Sequence, residues 1–283
     1  MTSRRGLLAV LVVVLWLGGM AMMIHRRSTH TEAETLADVA LRVQPATFYY
    51  IVERDGVQIG AASSALDTTE QSLVSEDYFV GDYPVRERAA SANGAASSNP
   101  ALQRTSARWE TRLTRGFRLS GLTINIVRET SPFSINAAVQ DDSTLFIAGR
   151  KKAGGHPPAH YSFIPPLFTP SVAPIAFMLG GSHKVGRTQK MSVFDPRTRL
   201  VTRPDLTIRA ESLFTVVDSA QKDQSGIWQI AHRDTVRAWR IESPPNDLAL
   251  WVDAEGRVVA AKAGAFSVIR TAFEIAYQNS KAK

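Results

Sequence analysis

Histidines are the residues of this chain whose spacing comes closest to a catalytic or metal-binding arrangement. Six occur in the sequence, and His156 and His160 lie four positions apart. Two histidines at that interval on a helix can chelate zinc. Pro157 and Pro158 lie between them and prevent a helix, so a surface loop explains the pair better. The chain has no cysteine, which excludes thiolate catalysis, disulfides and cysteine zinc ligands.

The common signatures of enzymes are absent from the sequence. It contains no Gly-x-Ser-x-Gly elbow, no phosphate-binding P-loop and no Gly-x-Gly-x-x-Gly string. We therefore predict a non-catalytic domain with no cofactor and no metal site. The alternative is a cell-envelope hydrolase with an unrecognised active site, which would use His156, His160 and His183.

The charge of the chain favours neither nucleic acid nor any other polyanion. Four of the 33 basic residues flank one apolar run near the start, so 29 basic and 26 acidic residues remain beyond it, a net charge of +3. Arginines do cluster between residues 104 and 128, where the wet face of antiparallel strands explains them best. A weaker alternative is contact of Arg112 and Arg118 with an anionic surface such as lipid headgroups. No nucleic-acid partner is predicted.

The apolar run near the start predicts a membrane anchor. It extends from Gly6 to Ile24 between pairs of arginines, without any charged residue. At about 1.5 Å per residue such a helix reaches roughly 28 Å, close to the thickness of the bilayer core. Its end lacks a good cleavage site, which favours an uncleaved anchor over a signal peptide. An anchor followed by one large domain indicates a domain on the periplasmic or extracytoplasmic side.

Beyond the anchor, the pattern predicts a mainly β fold. Trp109, Thr111 and Leu113 alternate with polar residues, as in a half-buried strand. Asp55-Gly56 separates two apolar runs, the strongest short signal for a hairpin. We expect a large, curved antiparallel sheet, half-barrel-like, with a few short helices, in addition to the N-terminal transmembrane helix.

The predicted organisation has three parts. Residues 1–27 form the anchor, 28–45 a linker or stalk helix, and 46–283 a single β-rich domain. Within the domain, 88–101 is rich in small polar residues and predicts a mobile loop. The segment 149–174 contains six prolines and predicts an irregular crossing over the sheet, followed by a short helix from Pro174 to Leu179. Residues 266–277 fit either a terminal helix or another strand.

The crossing segment and the short helix carry large apolar side chains that fit two roles. They can plug the concave face of the sheet, which is the simpler explanation, or form a lid over an apolar groove that accepts an acyl chain. The candidates for such a groove or lid are Tyr161, Phe163, Ile164, Leu167, Phe168, Phe177 and Met178.

Three strings resemble bacterial envelope domains of the lipoprotein-carrier-like group, which includes domains found near transglutaminase-like cores. The first runs from Tyr49 to Gly60, the second from Gly186 to Pro196, and the third from Leu250 to Val258. The resemblance implies a strongly curved antiparallel sheet in the cell envelope and carries no catalytic residue. We therefore predict a membrane-anchored envelope protein that binds a lipophilic ligand or an envelope protein partner.

Overall fold

The computed structural model describes residues 32–69, 72–85, 101–128, 131–151, 156–196, 198–243 and 246–278. The predicted anchor at 1–27 lies outside these residues, as does the loop predicted at 88–101 except for its last residue. None of the helices described in these ranges is both long enough and apolar enough to cross a membrane.

Short helices and many strands make up the described residues, which confirms the predicted mainly β fold. The helices are α1 (Glu32–Arg42), α2 (Ala173–Leu179) and α3 (Phe273–Gln278). The strands of the first half are β1 (Ala46–Arg54), β2 (Val57–Thr68), β3 (Ser72–Val85), β4 (Ala101–Thr114), β5 (Leu119–Arg128), β6 (Ser131–Gln140), β7 (Thr144–Lys151) and β8 (His156–Ser162). Those of the second half are β9 (Leu167–Phe168), β10 (Thr188–Lys190), β11 (Ser192–Asp195), β12 (Leu200–Thr202), β13 (Asp205–Lys222), β14 (Trp228–Ser243), β15 (Asn246–Val252), β16 (Val258–Ala263) and β17 (Phe266–Thr271).

One large antiparallel sheet contains most of the described strands. Its 14 strands follow the order β10-β13-β14-β15-β16-β17-β1-β2-β3-β4-β5-β6-β7-β8. The end strands β10 and β8 do not pair with each other, so the sheet stays open. A second sheet of three strands has the order β12-β11-β9, with β9 and β11 parallel. The predicted large antiparallel sheet is therefore confirmed.

The turn between β1 and β2 confirms the predicted Asp-Gly hairpin. Arg54 pairs with Val57, so Asp55 and Gly56 alone form the loop. Their φ angles are 50° and 78°. A type I′ turn needs positive φ at both central residues, and its twist matches that of the flanking strands. This turn fixes the register of the two strands that form the middle of the sheet.

One apolar core lies between the sheet and the helices α1 and α2. Leu36 and Val39 of α1 and Phe177 of α2 are buried in it. Ile208 of β13 and Ile147 of β7 belong to the same cluster, although their strands lie near opposite ends of the sheet. The sheet must therefore curve around the helices. Because α1 buries an apolar stripe at helical spacing, the helix in the predicted linker packs onto the domain.

The predicted irregular crossing at 149–174 is wrong over its first half. Residues 156–162 form β8, which pairs with β7 in antiparallel register. Pro157 and Pro158 are compatible with this strand because β8 lies at the end of the sheet and its pairing with β7 is interrupted there, between Ile147 and Gly149. The chain then enters β9 of the second sheet, so the later part of the segment does leave the large sheet.

Two helices were predicted, one after the crossing segment and one near residue 277, and their outcomes differ. The short helix after the prolines is confirmed as α2, which begins at Ala173 with a proline in its first turn. Residues 266–277 divide between the two alternatives, since β17 covers Phe266–Thr271 and α3 covers Phe273–Gln278. Ala272 lies between them, and its carbonyl oxygen accepts a hydrogen bond from the Ala276 amide of α3.

Gly256 allows the β15–β16 turn to lie directly on α2. Its φ angle is 78°, and a Cβ atom there would lie 2.6 Å from the carbonyl oxygen of Pro174. Gly226, in the β13–β14 turn, has a similar φ of 81°, but a Cβ atom on it would meet no atom within 4 Å. The two glycines therefore share the same backbone requirement and differ in their surroundings.

We expect Gly256→Ala to lower the free energy of unfolding by about 1–3 kcal/mol more than Gly226→Ala, because only the former adds overpacking to backbone strain. Urea unfolding of the two variants beside the wild type measures this difference. Equal losses in both variants would show that the contact between the turn and α2 contributes nothing.

Candidate ligand-binding cavity

A cavity of about 500 Å³ lies on the concave side of the large sheet. Strands β1 to β5, β16 and β17 supply its walls, while the segment at α2 and the β15–β16 turn reach it through Ser171, Ile175 and Gly256. Most of the lining is apolar, including Val52, Ala62, Ala107, Trp109, Ile126 and Val268. Its size lies within the range of about 300–1,000 Å³ typical of small-molecule sites.

Strand alternation places these side chains, and their size determines where the sheet is empty. Every second residue of a strand faces the same side, so Phe48, Tyr50 and Val52 of β1 all line the cavity. Along β4 the inward residues change from Ala107 at the cavity to Leu113 in the core, where the latter is fully buried. On this strand the large Leu113 fills the core, whereas the small Ala107 leaves open volume at the cavity.

Three aromatic rings span one end of the cavity. Tyr83 of β3 stacks on Phe266 of β17, with 5.8 Å between the ring centroids. Phe79 packs edge-on against Tyr83 at 6.4 Å. Gly60 and Gly81 face each other beneath the Phe79 ring, and a Cβ atom on either would lie 3.0 Å from it. The two glycines thus allow the ring to lie close to the backbone of β2 and β3.

Asp77 is the acidic side chain among the described residues that line the cavity. The Ser64 hydroxyl donates a hydrogen bond of 2.6 Å to its Oδ1 atom, and Ser171 also contributes a hydroxyl. Burial raises the pKa of Asp77, while the two hydroxyl groups lower it in part. The carboxyl group is thus held by neutral donors in an apolar wall, an environment that disfavours its charge.

A buried pair of oppositely charged side chains lies near the β1 wall of the cavity. Arg270 donates to Asp253 at 3.1 Å, and the two side chains are only 11% and 10% exposed. The guanidinium of Arg270 also lies 4.8 Å from the centre of the Phe48 ring. Burial raises the pKa of Asp253, although the Arg257 amide and Arg270 oppose this shift. Burial likewise raises the pKa of the neighbouring Tyr50 hydroxyl.

The residues predicted for a groove or lid lie mainly in the core rather than at this cavity. Leu167, Phe168, Phe177 and Met178 are at most 2% exposed and belong to the core cluster. Tyr161 and Phe163 pack against that cluster, and Ile164 is 54% exposed. From the same stretch of chain, Ser171 and Ile175 do reach the cavity.

The two arginines predicted to contact an anionic surface lie in different settings. Arg112 forms an ion pair of 2.7 Å with Glu110, and its side chain is 64% exposed. The neighbouring Arg108 pairs with Glu76 at 2.9 Å in the same manner. Arg118 lines a shallow depression that also includes Asp142. Acidic partners therefore accompany the basic residues on this side of the sheet.

The predicted histidines have separate neighbours. The exposed His160 packs against Phe146, with 5.0 Å between the ring centroids. His183 bonds the carbonyl oxygen of Met178 at 3.1 Å and packs against Trp239. The side chain of His156 lies outside the described residues. Among the described residues, no group of three or more histidine, aspartate or glutamate side chains could hold a metal ion.

Sequence reasoning missed the residues that line the cavity, although one signal was available. Leu73 and Ser75 precede Asp77 at alternate positions of β3 and are buried at 3% and 2% exposure. An acidic residue in phase with buried positions of a strand is unusual, because a charged group there must be paired or neutralised. Asp77 stands out along β3 because it is an acidic residue at a position that alternation places on the buried face.

No family model and no curated protein sequence matches this chain. Among solved structures, it is similar to a β-barrel-like protein of the domain-of-unknown-function family DUF1849 from Brucella abortus, with 11% identity and a TM-score of 0.47 over 81% of this chain and 95% of that one. It is also similar to a DUF1089 family protein from Pseudomonas aeruginosa, with 11% identity and a TM-score of 0.36 over 70% and 87%. The resemblance to the lipoprotein-carrier-like group stays a prediction.

The raised pKa of Asp77 predicts how its contribution to stability depends on pH. Because the folded state holds the proton more tightly than the unfolded state, stability falls as pH rises from about 4, the ordinary aspartate pKa, through the raised value. Asp77→Asn removes this loss. Urea unfolding between pH 3 and pH 8 should therefore show the variant gaining on the wild type as pH rises.

Asp223, in the exposed β13–β14 turn, provides a control of opposite sign. Hydrogen bonds from the Ser225 hydroxyl and the Ile227 amide lower its pKa. Its stabilising contribution is present above the ordinary aspartate pKa and is lost as pH falls. Asp223→Asn should therefore lose stability relative to the wild type as pH rises. A difference between wild type and Asp77→Asn that does not vary with pH would contradict the assignment for Asp77.

Proposed function

We propose that this domain binds a lipophilic molecule, such as one carrying an acyl chain, in the cavity on the concave side of its sheet. The observation that carries the proposal is the cavity itself, about 500 Å³ of space with a mostly apolar wall. Apolar clefts with a few polar groups are the usual form of small-molecule sites.

The cavity walls can supply useful binding energy. Each methylene group that moves from water to an apolar wall gains about 0.8 kcal/mol. About ten methylenes would gain roughly 8 kcal/mol, which corresponds to micromolar affinity before the entropic costs of association are subtracted. A single chain of this length, with an end group near Asp77, matches the balance of apolar and polar lining.

The composition of the wall supports a binding site over a packing fault. The core half of the same sheet is filled, since Leu113, Ile124 and Leu145 are at most 1% exposed. In the cavity half, Ala62, Ala107 and Ala261 occupy inward positions of three different strands. Small residues on separate strands create one connected space, whereas a single small residue would leave only a local defect.

We also propose that the domain works beside a membrane, on the extracytoplasmic side. The support for this comes from the sequence, in the uncharged run from Gly6 to Ile24. A lipophilic ligand is poorly soluble in water, so tethering near a bilayer would place the cavity close to its source.

The membrane proposal predicts where the chain fractionates. The full chain should remain in the membrane pellet after an alkaline wash, whereas a chain that begins at residue 28 should be found in the supernatant. Recovery of the full-length product in the supernatant, or of a shortened product there, would contradict an uncleaved anchor.

Filling the cavity should weaken ligand binding. Ala107→Phe places a ring in the cavity, so it should weaken binding of the neutral fluorescent lipophile N-phenyl-1-naphthylamine at least tenfold, as measured by fluorescence titration. Ala138→Phe is the matched control, because Ala138 lies at an exposed position of β6 and does not line the cavity.

Thermal unfolding of both variants shows whether the fold has survived. If the wild type does not bind the lipophile, or if Ala107→Phe binds it as tightly as Ala138→Phe, the cavity is not a binding site.

A further inference from the structure

We propose that the ligand is a single-chain amphiphile with an ammonium group, which Asp77 binds while the chain occupies the apolar part of the cavity. This inference rests on the proposed function and adds the chemical class of the ligand. It is carried by the position of one carboxyl group in a mostly apolar wall, where hydroxyl groups rather than the two arginines of the lining bond it.

In the described part of the chain, the groups that bond Asp77 carry no positive charge. The hydroxyl groups of Ser64 and Ser171 are neutral. The charged side chain that acts on the pKa of Asp77 is the acidic Glu76, which raises it. Among the described residues, no basic side chain forms an ion pair with Asp77. A carboxylate in an apolar environment is unfavourable unless a cation accompanies it. A bound ammonium group would supply that cation.

The hydrogen bonds of Asp77 leave room for such a group. An ionised carboxyl group has about four acceptor sites, and the two serine hydroxyls occupy two of them. An ammonium group carries three donors and no acceptor. The ligand can thus donate to the remaining acceptor sites without displacing either serine, and the resulting charge-assisted bonds are stronger than neutral ones.

The contrast with Asp253 shows what a completed site looks like in this domain. That buried carboxyl group is bound by Arg270 of the same chain at 3.1 Å. Asp77 is half-buried, faces the cavity and has no such arginine among the described residues. The described part of the chain therefore compensates one of these carboxyl groups and leaves the other, at the cavity, for a ligand.

Two basic residues at the cavity offer a competing site for an anionic end group. Arg257 is engaged, since it donates to the Gln44 carbonyl oxygen at 3.1 Å and lies over Phe48. Arg128 of β5 lies opposite Thr105 of β4, and Asp77 of β3 lies opposite Trp109 of β4. Thr105 and Trp109 are four residues apart on β4. At about 3.3 Å per residue they lie roughly 13 Å apart along β4. A fatty-acid-like ligand would choose Arg128 instead.

Three probes with the same alkyl chain distinguish these outcomes: decylamine, 1-decanol and decanoate. Each is titrated at pH 7.5 into the full chain preloaded with N-phenyl-1-naphthylamine, and its displacement constant is measured. We expect decylamine to bind at least tenfold more tightly than decanoate and more tightly than 1-decanol.

Asp77→Asn tests the role of the charge, since it retains an acceptor for Ser64 at nearly the same size. It should remove the preference for decylamine, so that decylamine and 1-decanol displace the dye from the variant with similar constants. The comparison of probes on the wild type is informative even where a variant folds poorly.

The possible failures are distinguishable. If 1-decanol displaces the dye but decylamine binds no more tightly than it, or if Asp77→Asn keeps the preference, the ammonium inference is overturned and the lipophile site remains. Tighter binding of decanoate has the same effect and moves the end group to Arg128. If none of the probes displaces the dye, the proposed function fails together with the inference.

Discussion

The need to cover one apolar face of an open sheet governs the whole domain. An antiparallel sheet with alternating residues has one face that must be removed from water. Here the sheet curves, and α1 and α2 fill the space inside its core half with side chains such as Phe177 and Val39. The helices do not fill the other half, where small inward residues line open volume and three aromatic side chains span one end of it. The cavity is therefore the part of the concave face that the chain does not cover for itself.

Charge burial follows the same division. At the wall beside α2, Asp253 and Arg270 neutralise each other, and the β15–β16 turn that holds Asp253 depends on the contact of Gly256 with α2. Asp77 faces the open volume instead, and its partners among the described residues are hydroxyl groups. Breaking a buried pair is usually costly because an uncompensated charge remains. Since no cationic partner of Asp77 occurs among the described residues, this carboxyl group is the basis for the proposed class of ligand.

Local sequence patterns predicted the helices and strands well wherever a residue type is compatible with a single local conformation. Asp55-Gly56 specified a hairpin because only positive φ suits that turn, and Thr111 and Leu113 specified an inward face because their neighbours are polar. Pro157 and Pro158 misled the assignment, since their effect depends on whether a strand is central or at the end of the sheet. That position is a property of the completed topology.

The cavity could not be predicted from the sequence for a related reason. Its wall brings together inward residues from strands that are far apart in the chain, such as Ala62, Ala107 and Ala261. An alanine at an inward position looks the same in the sequence whether its neighbours fill the space or leave it open. The large apolar side chains drew attention to the crossing segment, yet most of them pack the core because of their size. Only the inward phase of Asp77 along β3 pointed to the site.

The most direct test of the lipophile site is a crystal structure of the chain in complex with 1-decanol. We expect electron density for the alkyl chain among Ala62, Ala107 and Val268, enclosed by the concave side of the sheet. Density for ordered water in that space, with the probe absent or bound elsewhere, would contradict the assignment of the cavity as a lipophile-binding site.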